Sequence, residues 1–558
     1  MLDVSFAMKN DFFCVVVMKI TTNLENTKFL KSLEFTQETV DSFYKPLHTI
    51  GNFKETIENL LVFLKLPLWN VLFYKLIALA YKEISNPKWL KMEDIKIPDF
   101  AIPLLEHQQT GVKFLLTHKK AILGDMMGLG KTATTIATLV HLKKQKNMIV
   151  CPKSLSINWK REFVKFVPGV NEPVIIKSGK KCESQLLAMD LNKPNSMNFV
   201  ILSYGLLKNV LETLKKLKLM NWDIIVADEA HFVKHRKSQR SKVLKQIAGK
   251  SERVILLSAT IAHKPANLWN PLRFCNDEIF EDFHINYNPK TFNVPKPSPM
   301  KFRFAERFIS IGVIRVAGRR LQYEYKIPKR LEELNLLIKP FVLRRCIDEV
   351  VELPPLIKET IIIGELSVPL AKKFKENISK MEKIKNEENK QAADIILMDL
   401  MRTTSKLKQP MVLEYLLDLV ESYHEKILVF FHHIAFGDFL EEGLKKAGIS
   451  NIKVHSGVAS KLRQDLFDQF VDPKGVQVGL ISLGVGSTGL NFTCCNLCVY
   501  ADLSFDIVTE TQSEGRCRRI GQTKKVVLQF LQLDSSTDEM LIKAIHSQQK
   551  TSFAILDA

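Results

Sequence analysis

At 558 residues the chain is long enough for several buried cores rather than one, and 46% hydrophobic residues exclude general disorder. Eighty Lys+Arg against sixty Asp+Glu leave a formal charge of +20, which points to a polyanionic partner, nucleic acid first and a membrane surface second. The nine cysteines are scattered, which implies a reducing compartment rather than a disulfide scaffold.

In chain order, residues 1–98 carry no recognisable chemistry. The apolar run Phe12 to Met18 is too short to span a bilayer, and Asp3 and Asp11 do not suit a signal peptide, so a soluble, intracellular protein is expected. Apolar residues at mixed spacing around Leu60–Leu64 and Val71–Tyr74 suggest packed helices, giving a helical accessory region over 1–98. Ile95 to Pro103, with its prolines, reads as a linker.

From Leu104 the pattern changes to short apolar strands alternating with helical stretches. Ala121–Leu123, Met148–Cys151, Phe199–Leu202, Ile224–Ala227 and Val254–Leu257 are the strand candidates of a first α/β lobe over 99–275, a parallel sheet covered by helices. Ligands of such sheets bind at the carboxyl ends of strands. There stands Ala121-Ile-Leu-Gly-Asp-Met-Met-Gly-Leu-Gly-Lys-Thr132, a strand, a glycine-spaced turn and a helix start, which together make a cradle of N–H groups for a polyphosphate. Lys131 would reach the β- and γ-phosphates and Thr132 would ligate Mg²⁺. The strict G-x-x-x-x-G-K-T pattern fails at one position, where Asp125 replaces the first glycine.

Asp228-Glu-Ala-His231 follows the strand Ile224–Ala227. A carboxylate at a strand end can hold Mg²⁺ and its neighbour can orient water, so Asp228 and Glu229 are the expected metal and water partners. Ser258-Ala-Thr260 closes the next strand. An irregular stretch over 276–355, rich in Pro, Phe and basic residues, reads as a helical, basic insertion and inter-lobe linker ending in Phe341-Val-Leu-Arg-Arg345.

A second alternating block follows over 356–545, with strands expected at Ile361–Ile363, Lys426–Phe431, Gly479–Ser482, Leu497–Ala501 and Val526–Leu531, and a short tail over 546–558. Cys494, Cys495 and Cys498 cluster inside an apolar run with no second C-x-x-C near enough to complete a zinc site, so a buried strand is expected there. Further on, Arg516 and Arg519 lie three apart on one helical face, where arginines can stabilise the charge that develops in phosphoryl transfer.

The order of these motifs resembles the Swi/Snf-type branch of the superfamily-two helicase-like ATPases over about residues 100–545. The resemblance rests on Leu105-Glu-His-Gln108, Asp125 to Thr132, Val150-Cys-Pro-Lys-Ser-Leu155 with Asn158-Trp159, Leu202-Ser-Tyr204, Asp228 to His231, Leu257-Ser-Ala-Thr260 with Asn267, and Phe341 to Arg345. It continues through Ser482, Gly486, Gly489-Leu-Asn491 and Gln512 to Gln522. Pro410 to Leu416 and Lys426-Ile-Leu-Val-Phe-Phe-His-His433 look like the HARP-like annealing-helicase branch, whose members use ATP to move on double-stranded DNA, rewind separated strands and remodel stalled replication forks.

This resemblance implies two RecA-like parallel-sheet lobes, with ATP in the cleft between them, DNA across their shared face, and a helical N-terminal extension. Carried over by position, Gln108 would recognise adenine. Asp125, Gly128, Gly130, Lys131 and Thr132 would hold phosphates and Mg²⁺, and Gln512 would lie close to the nucleotide. Asp228, Glu229, Arg516 and Arg519 would complete the chemistry, with Arg519 as the finger. Lys153, Ser154, Asn267, Ser456, Ser482 and Asn491 would track the DNA backbone. The expected activity is a DNA-dependent ATPase acting on branched DNA in fork remodelling and repair, in the nucleus, with replication or repair proteins as partners and no membrane.

The sequence departs from the family at Met126, where an acidic residue is usual, and at Ala259 and Ile261, where Gly and Pro are usual. Rival readings are a chromatin-remodelling ATPase, disfavoured by the short stretch after Leu541, an RNA helicase, disfavoured by Ile520-Gly-Gln522, and an inactive DNA-binding scaffold. Intact Lys131, Asp228, Glu229 and Arg519 argue against the last.

Overall fold

A computed structural model describes residues 3–9, 12–18, 36–39 and 42–46, and most of the chain from 79 to 543. Within that last span, residues 81, 85, 97–99, 178–179, 190–195, 261–264, 277–307, 317–319, 329, 387–389, 487–491 and 505–512 are not described.

The chain begins with β1 (Asp3–Lys9), β2 (Phe12–Met18), β3 (Thr36–Thr39) and β4 (Ser42–Pro46), an antiparallel sheet in the order β1-β2-β4-β3. This corrects the helical reading of residues 1–98 over its first half. Phe12-Phe-Cys-Val-Val-Val-Met18 is a run of aromatic and β-branched residues, which fit a pleated surface better than a helix. Helical backbone here is confined, among the described residues, to 79–80, 82–84 and the 3₁₀ turn Lys88–Lys91. The runs Leu60–Leu64 and Val71–Tyr74 lie outside the described residues.

The first lobe is built on β5 (Lys120–Leu123), β6 (Lys146–Cys151), β7 (Val174–Ile175), β8 (Asn198–Ser203), β9 (Ile224–Asp228) and β10 (Arg253–Leu257). Successive side chains on these strands enter two different cores. Ile122, Val150, Leu202, Ala227 and Leu256 pack on one face. Leu123, Ile149, Ile201, Val226 and Ile255 pack on the other. Helices cover both faces, which is why each strand reads as an unbroken apolar run rather than an alternation.

A hairpin of β11 (Ile309–Val316) and β12 (Arg320–Pro328) follows, and then the chain returns to the first lobe. The helix Leu331–Ile338 contributes Leu334, Leu336 and Leu337 to the first core, and β13 (Val342–Leu343) adds a parallel edge strand beside β5. The sheet order is therefore β13-β5-β10-β9-β6-β8-β7. The end of the stretch expected as a linker is in this way part of the sheet that carries the phosphate loop.

The second lobe holds β14 (Leu356–Glu365), β15 (Ile427–Phe431), β16 (Asn451–Val454), β17 (Val478–Ser482), β18 (Leu497–Tyr500) and β19 (Val526–Asp534), all parallel, in the order β14-β19-β18-β15-β17-β16. The two long helices Val368–Asn386 and Lys390–Ser422 precede β15. Lys408, fully buried on the second of them, donates to the Leu531 carbonyl at 2.8 Å and to Asp538 at 2.8 Å, which fixes the helix to the end of β19. The two parallel-sheet lobes expected from the sequence are present.

Candidate active site

Three strand ends stand side by side in the first lobe. Leu257 pairs with Leu123 on one side and with Asp228 on the other, so the phosphate loop, Ser258 and the carboxylate pair open onto one edge of the sheet. Gly128 (φ +89°) and Gly130 (φ +77°) take left-handed backbone that glycine alone adopts cheaply, and Gly130 caps the helix Lys131–Leu142. At Gly130 a Cβ would also run into the Gln108 amide.

Lys131 donates from Nζ to the carbonyls of Asp125 at 2.7 Å and Met126 at 3.2 Å, across the loop it closes. Burial pulls its pKa down to about 8, against the opposing pull of Glu229, Asp125 and Asp228. Thr132 follows it, half-buried, in the first turn. Gln108 takes the Leu105 N–H at 3.0 Å and donates to the Leu129 carbonyl at 3.4 Å, while His107 Nε2 lies 2.9 Å from the same oxygen. The helix Glu106–Thr117 is thereby pinned to the loop.

Asp125 does not offer its side chain to the cradle. Its buried carboxylate is held by Arg345, with Nε donating to Oδ1 at 3.0 Å and Nη2 bonded to Oδ2. The carboxylate is thus committed to Arg345, and Asp125 contributes to the loop through its main chain, whose carbonyl oxygen takes Lys131. Arg344 donates to the Gly124 carbonyl at 2.9 Å and the Ala259 carbonyl at 3.0 Å, joining the loop to Ser258-Ala-Thr260. Both arginines follow β13, and their roles were not legible because their partners lie far away in sequence.

Asp228 is fixed on all sides. Trp159 Nε1 donates to Oδ2 at 2.8 Å, the Glu229 N–H to Oδ1 at 2.8 Å, and Tyr204 Oη to the Asp228 carbonyl at 2.8 Å. Burial, with Glu229 beside it, pushes the Asp228 carboxyl up to about 6. Glu229 adopts left-handed backbone (φ +52°) and sets Oε2 3.1 Å from His231 Nδ1. Burial would raise its pKa, but His231, Lys131 and Arg516 outweigh it, so the group is held below the usual carboxylate range. Two adjacent, half-buried carboxylates with opposed shifts suit a divalent cation and an oriented water.

The second lobe reaches this edge through Arg516 and Arg519. Burial and its neighbour Arg519 lower Arg516 to about 10, while Glu229 and Asp228 draw its charge toward the carboxylate pair. Arg519 packs over the phosphate loop: a Cβ on Gly128 would stand 2.9 Å from its own Cβ. A Cβ on Gly515 would fall closer still, 2.5 Å from the Met127 Cβ. Arg518, which sequence reasoning passed over, anchors the turn by donating to the Pro354 carbonyl at 3.2 Å and pairing with Asp348. Lys131, Asp228, Glu229, Arg516 and Arg519 are thus brought to one place.

The residues expected on DNA are spread along the carboxyl ends of strands in both lobes. Lys153 and Ser154 are exposed in the turn after β6, Ser456 is exposed after β16, and Asn267 is half-buried in the helix Pro265–Cys275. Ser482 is buried at the end of β17, paired in register with Phe431, so its side chain does not lie on the open face. Asn491 and Gln512 lie outside the described residues, as does Ile261. No described helix is long and apolar enough to cross a membrane.

The SNF2-related domain matches residues 107–416 and the helicase conserved C-terminal domain matches residues 410–521. The chain is 28% identical over 449 residues to the DNA annealing helicase and endonuclease ZRANB3 of Homo sapiens, covering 78% of this chain and 39% of that protein. It is 27% identical over 456 residues to the SWI/SNF-related matrix-associated actin-dependent regulator of chromatin subfamily A-like protein 1 of Xenopus laevis, covering 80% of this chain and 43% of that protein. The chain therefore spans about two-fifths of the length of these curated relatives. The Sulfolobus solfataricus SWI2/SNF2 ATPase core, solved with double-stranded DNA, aligns over 83% of this chain and 96% of its own at 19% identity, with a TM-score of 0.37.

Proposed function

This chain belongs to the SNF2-related family, and from that membership we propose that it is an ATP-driven translocase on double-stranded DNA that rewinds branched DNA, as in fork remodelling and repair. The observation that carries the reading is the placement of Arg516 and Arg519 of the second lobe against the Asp228–Glu229 pair and the phosphate loop of the first.

In this reading the loop N–H groups and Lys131 hold the triphosphate, Gln108 recognises the adenine, and Gln512 belongs with the nucleotide-binding residues. Glu229, kept ionised by His231 and the nearby cations, orients and deprotonates the attacking water. Arg516 and Arg519 neutralise the charge that develops on the transferred phosphoryl group. Thr132 and Asp228 would hold Mg²⁺, which when bound supplies charge neutralisation at the phosphates. Trp159 and the Glu229 N–H keep Asp228 aimed for that role.

Because the two arginines belong to one lobe and the loop to the other, nucleotide binding draws the lobes together and hydrolysis releases them. Lys153, Ser154, Ser456, Asn267 and Asn491 then alternate contacts to the DNA backbone. Contacts to phosphate make binding weakly dependent on sequence and steeply dependent on salt. The domain limits read from the sequence, 99–275 and 356–545 for the lobes, a nuclear location, and replication or repair proteins as partners are part of the same proposal. A relative named DNA annealing helicase supports the branched-DNA reading.

The test is strand rewinding: a plasmid carrying a bubble held open by single-strand-binding protein is incubated with the chain and ATP. Closure of the bubble with ATP and not with a non-hydrolysable analogue is expected. ATP hydrolysis stimulated by duplex with no rewinding would leave a general translocase, and movement of histone octamers instead would favour the chromatin-remodelling reading.

A further inference from the structure

The second lobe draws Cys517, from the arginine segment, against the C-x-x-C of Cys495 and Cys498 at the approach to β18. The three Sγ atoms lie within 4.8 Å of one another, all buried, with Cys498 and Cys517 2.9 Å apart. The third sulfur is the ligand that the C-x-x-C lacked in the sequence. Its distance along the chain hid it, and the packing of the 513–517 helical turn on β18 supplies it.

We propose that Cys495, Cys498 and Cys517 form a binding site for a thiophilic divalent cation of the zinc class. Sulfurs of a tetrahedral thiolate site stand about 3.8 Å apart, from Zn–S bonds of about 2.3 Å, so small side-chain adjustments suffice here. Cys494, half-buried beside Cys495 in the chain, stands outside the group of three, which leaves the fourth position to water or another exogenous donor. Binding replaces thiol protons by the cation and releases them to solvent, one per sulfur ligated.

The surrounding bonds are those of a supported site. Gln522 Nε2 donates to the carbonyls of Cys495 at 3.0 Å and Cys517 at 3.3 Å, tying the two cysteine segments together. The Cys495 N–H donates to the Phe492 carbonyl at 3.1 Å, and the Phe492 N–H to the Arg516 carbonyl at 3.0 Å. A cation held here therefore fixes the backbone from which Arg516 projects, coupling metal occupancy to the setting of the ATPase arginines.

The experiment uses the full chain, reduced and stripped with a chelator, titrated with Co²⁺ and followed by absorption. Saturation at one equivalent is expected, with tetrahedral d–d bands and sulfur-to-cobalt charge transfer, all displaced by Zn²⁺. Cys498→Ser and Cys517→Ser should abolish the bands, and Cys182→Ser, buried in the first lobe, should not. If either second-lobe variant fails to fold by circular dichroism, the wild-type spectrum decides: charge transfer from at least three sulfurs per cobalt supports the site. Weak octahedral bands without sulfur charge transfer, or tetrahedral bands that persist in folded Cys498→Ser and Cys517→Ser, overturn it.

Discussion

Arg345 donates from Nε to Asp125 Oδ1 across 3.0 Å, although 220 positions separate them in the chain. The bond joins the segment after β13 to the phosphate loop, so the loop's shape depends on a strand that arrives from beyond the first lobe's other elements. Both groups are nearly inaccessible to water, and removing either leaves a buried charge unpaired. Arg345→Ala and Asp125→Ala should each cost about 3–5 kcal/mol in denaturant unfolding, with the double variant losing much less than the sum. Additive losses would show that the pair is not coupled.

Lys131 closes the loop on two carbonyls and faces Asp228 and Glu229. Lys131→Ala should lower kcat for ATP hydrolysis by about 10²–10³ while circular dichroism remains that of the parent. Unchanged turnover in a folded variant would remove the loop from the chemistry.

In the proposed function Arg516 and Arg519 act on the nucleotide from the second lobe, so their loss should spare nucleotide binding and slow turnover. Arg519→Ala is expected to reduce kcat by about 10³–10⁵ with ATP affinity within a few-fold of the parent. Equal losses in binding and in turnover would instead make Arg519 a ground-state contact.

Much of this arrangement was legible in the sequence, because apolar runs that end in Gly-x-Gly-Lys-Thr or Asp-Glu announce strand ends where chemistry sits. Lys131, Asp228 and Glu229 were found that way, and Arg516 and Arg519 by their spacing of three on one helical face. What escaped depends on long-range partners: Arg344, Arg345 and Trp159 stood in recognised motifs, yet only the fold shows that they hold Gly124, Asp125 and Asp228. The N-terminal strands were misread because Leu60–Leu64 and Val71–Tyr74 drew the whole region toward helix, whereas Phe12 to Met18 is rich in β-branched residues. Cys517 was hidden for the same reason as Arg345, its neighbours being distant in sequence.

Asp502 accepts from the His432 N–H at 3.1 Å, the His433 N–H at 2.7 Å and His433 Nδ1 at 2.9 Å. Burial opposes its ionised form, but the bonds and charge of His433 outweigh it and hold the carboxyl below the usual carboxylate range. The unfolded chain therefore binds this proton more tightly than the folded one. The stabilisation is fully present above the ordinary carboxylate pKa and is lost as pH falls through the lowered folded value. Asp502→Asn should cost about 1–3 kcal/mol at neutral pH and flatten the acid limb of the stability profile. An acid limb as steep as the parent's would place the proton uptake elsewhere.

In the proposed function, the ATP hydrolysis that the two lobes perform together is stimulated by DNA. Its most direct measurement is steady-state ATP hydrolysis without nucleic acid and with single-stranded DNA, duplex, a forked junction or RNA, beside Lys131→Ala. The fork is expected to stimulate most strongly, the stimulation to fall as salt rises, and Lys131→Ala to be silent. Hydrolysis that no DNA stimulates, at a rate the Lys131→Ala chain shares, would contradict the proposed function.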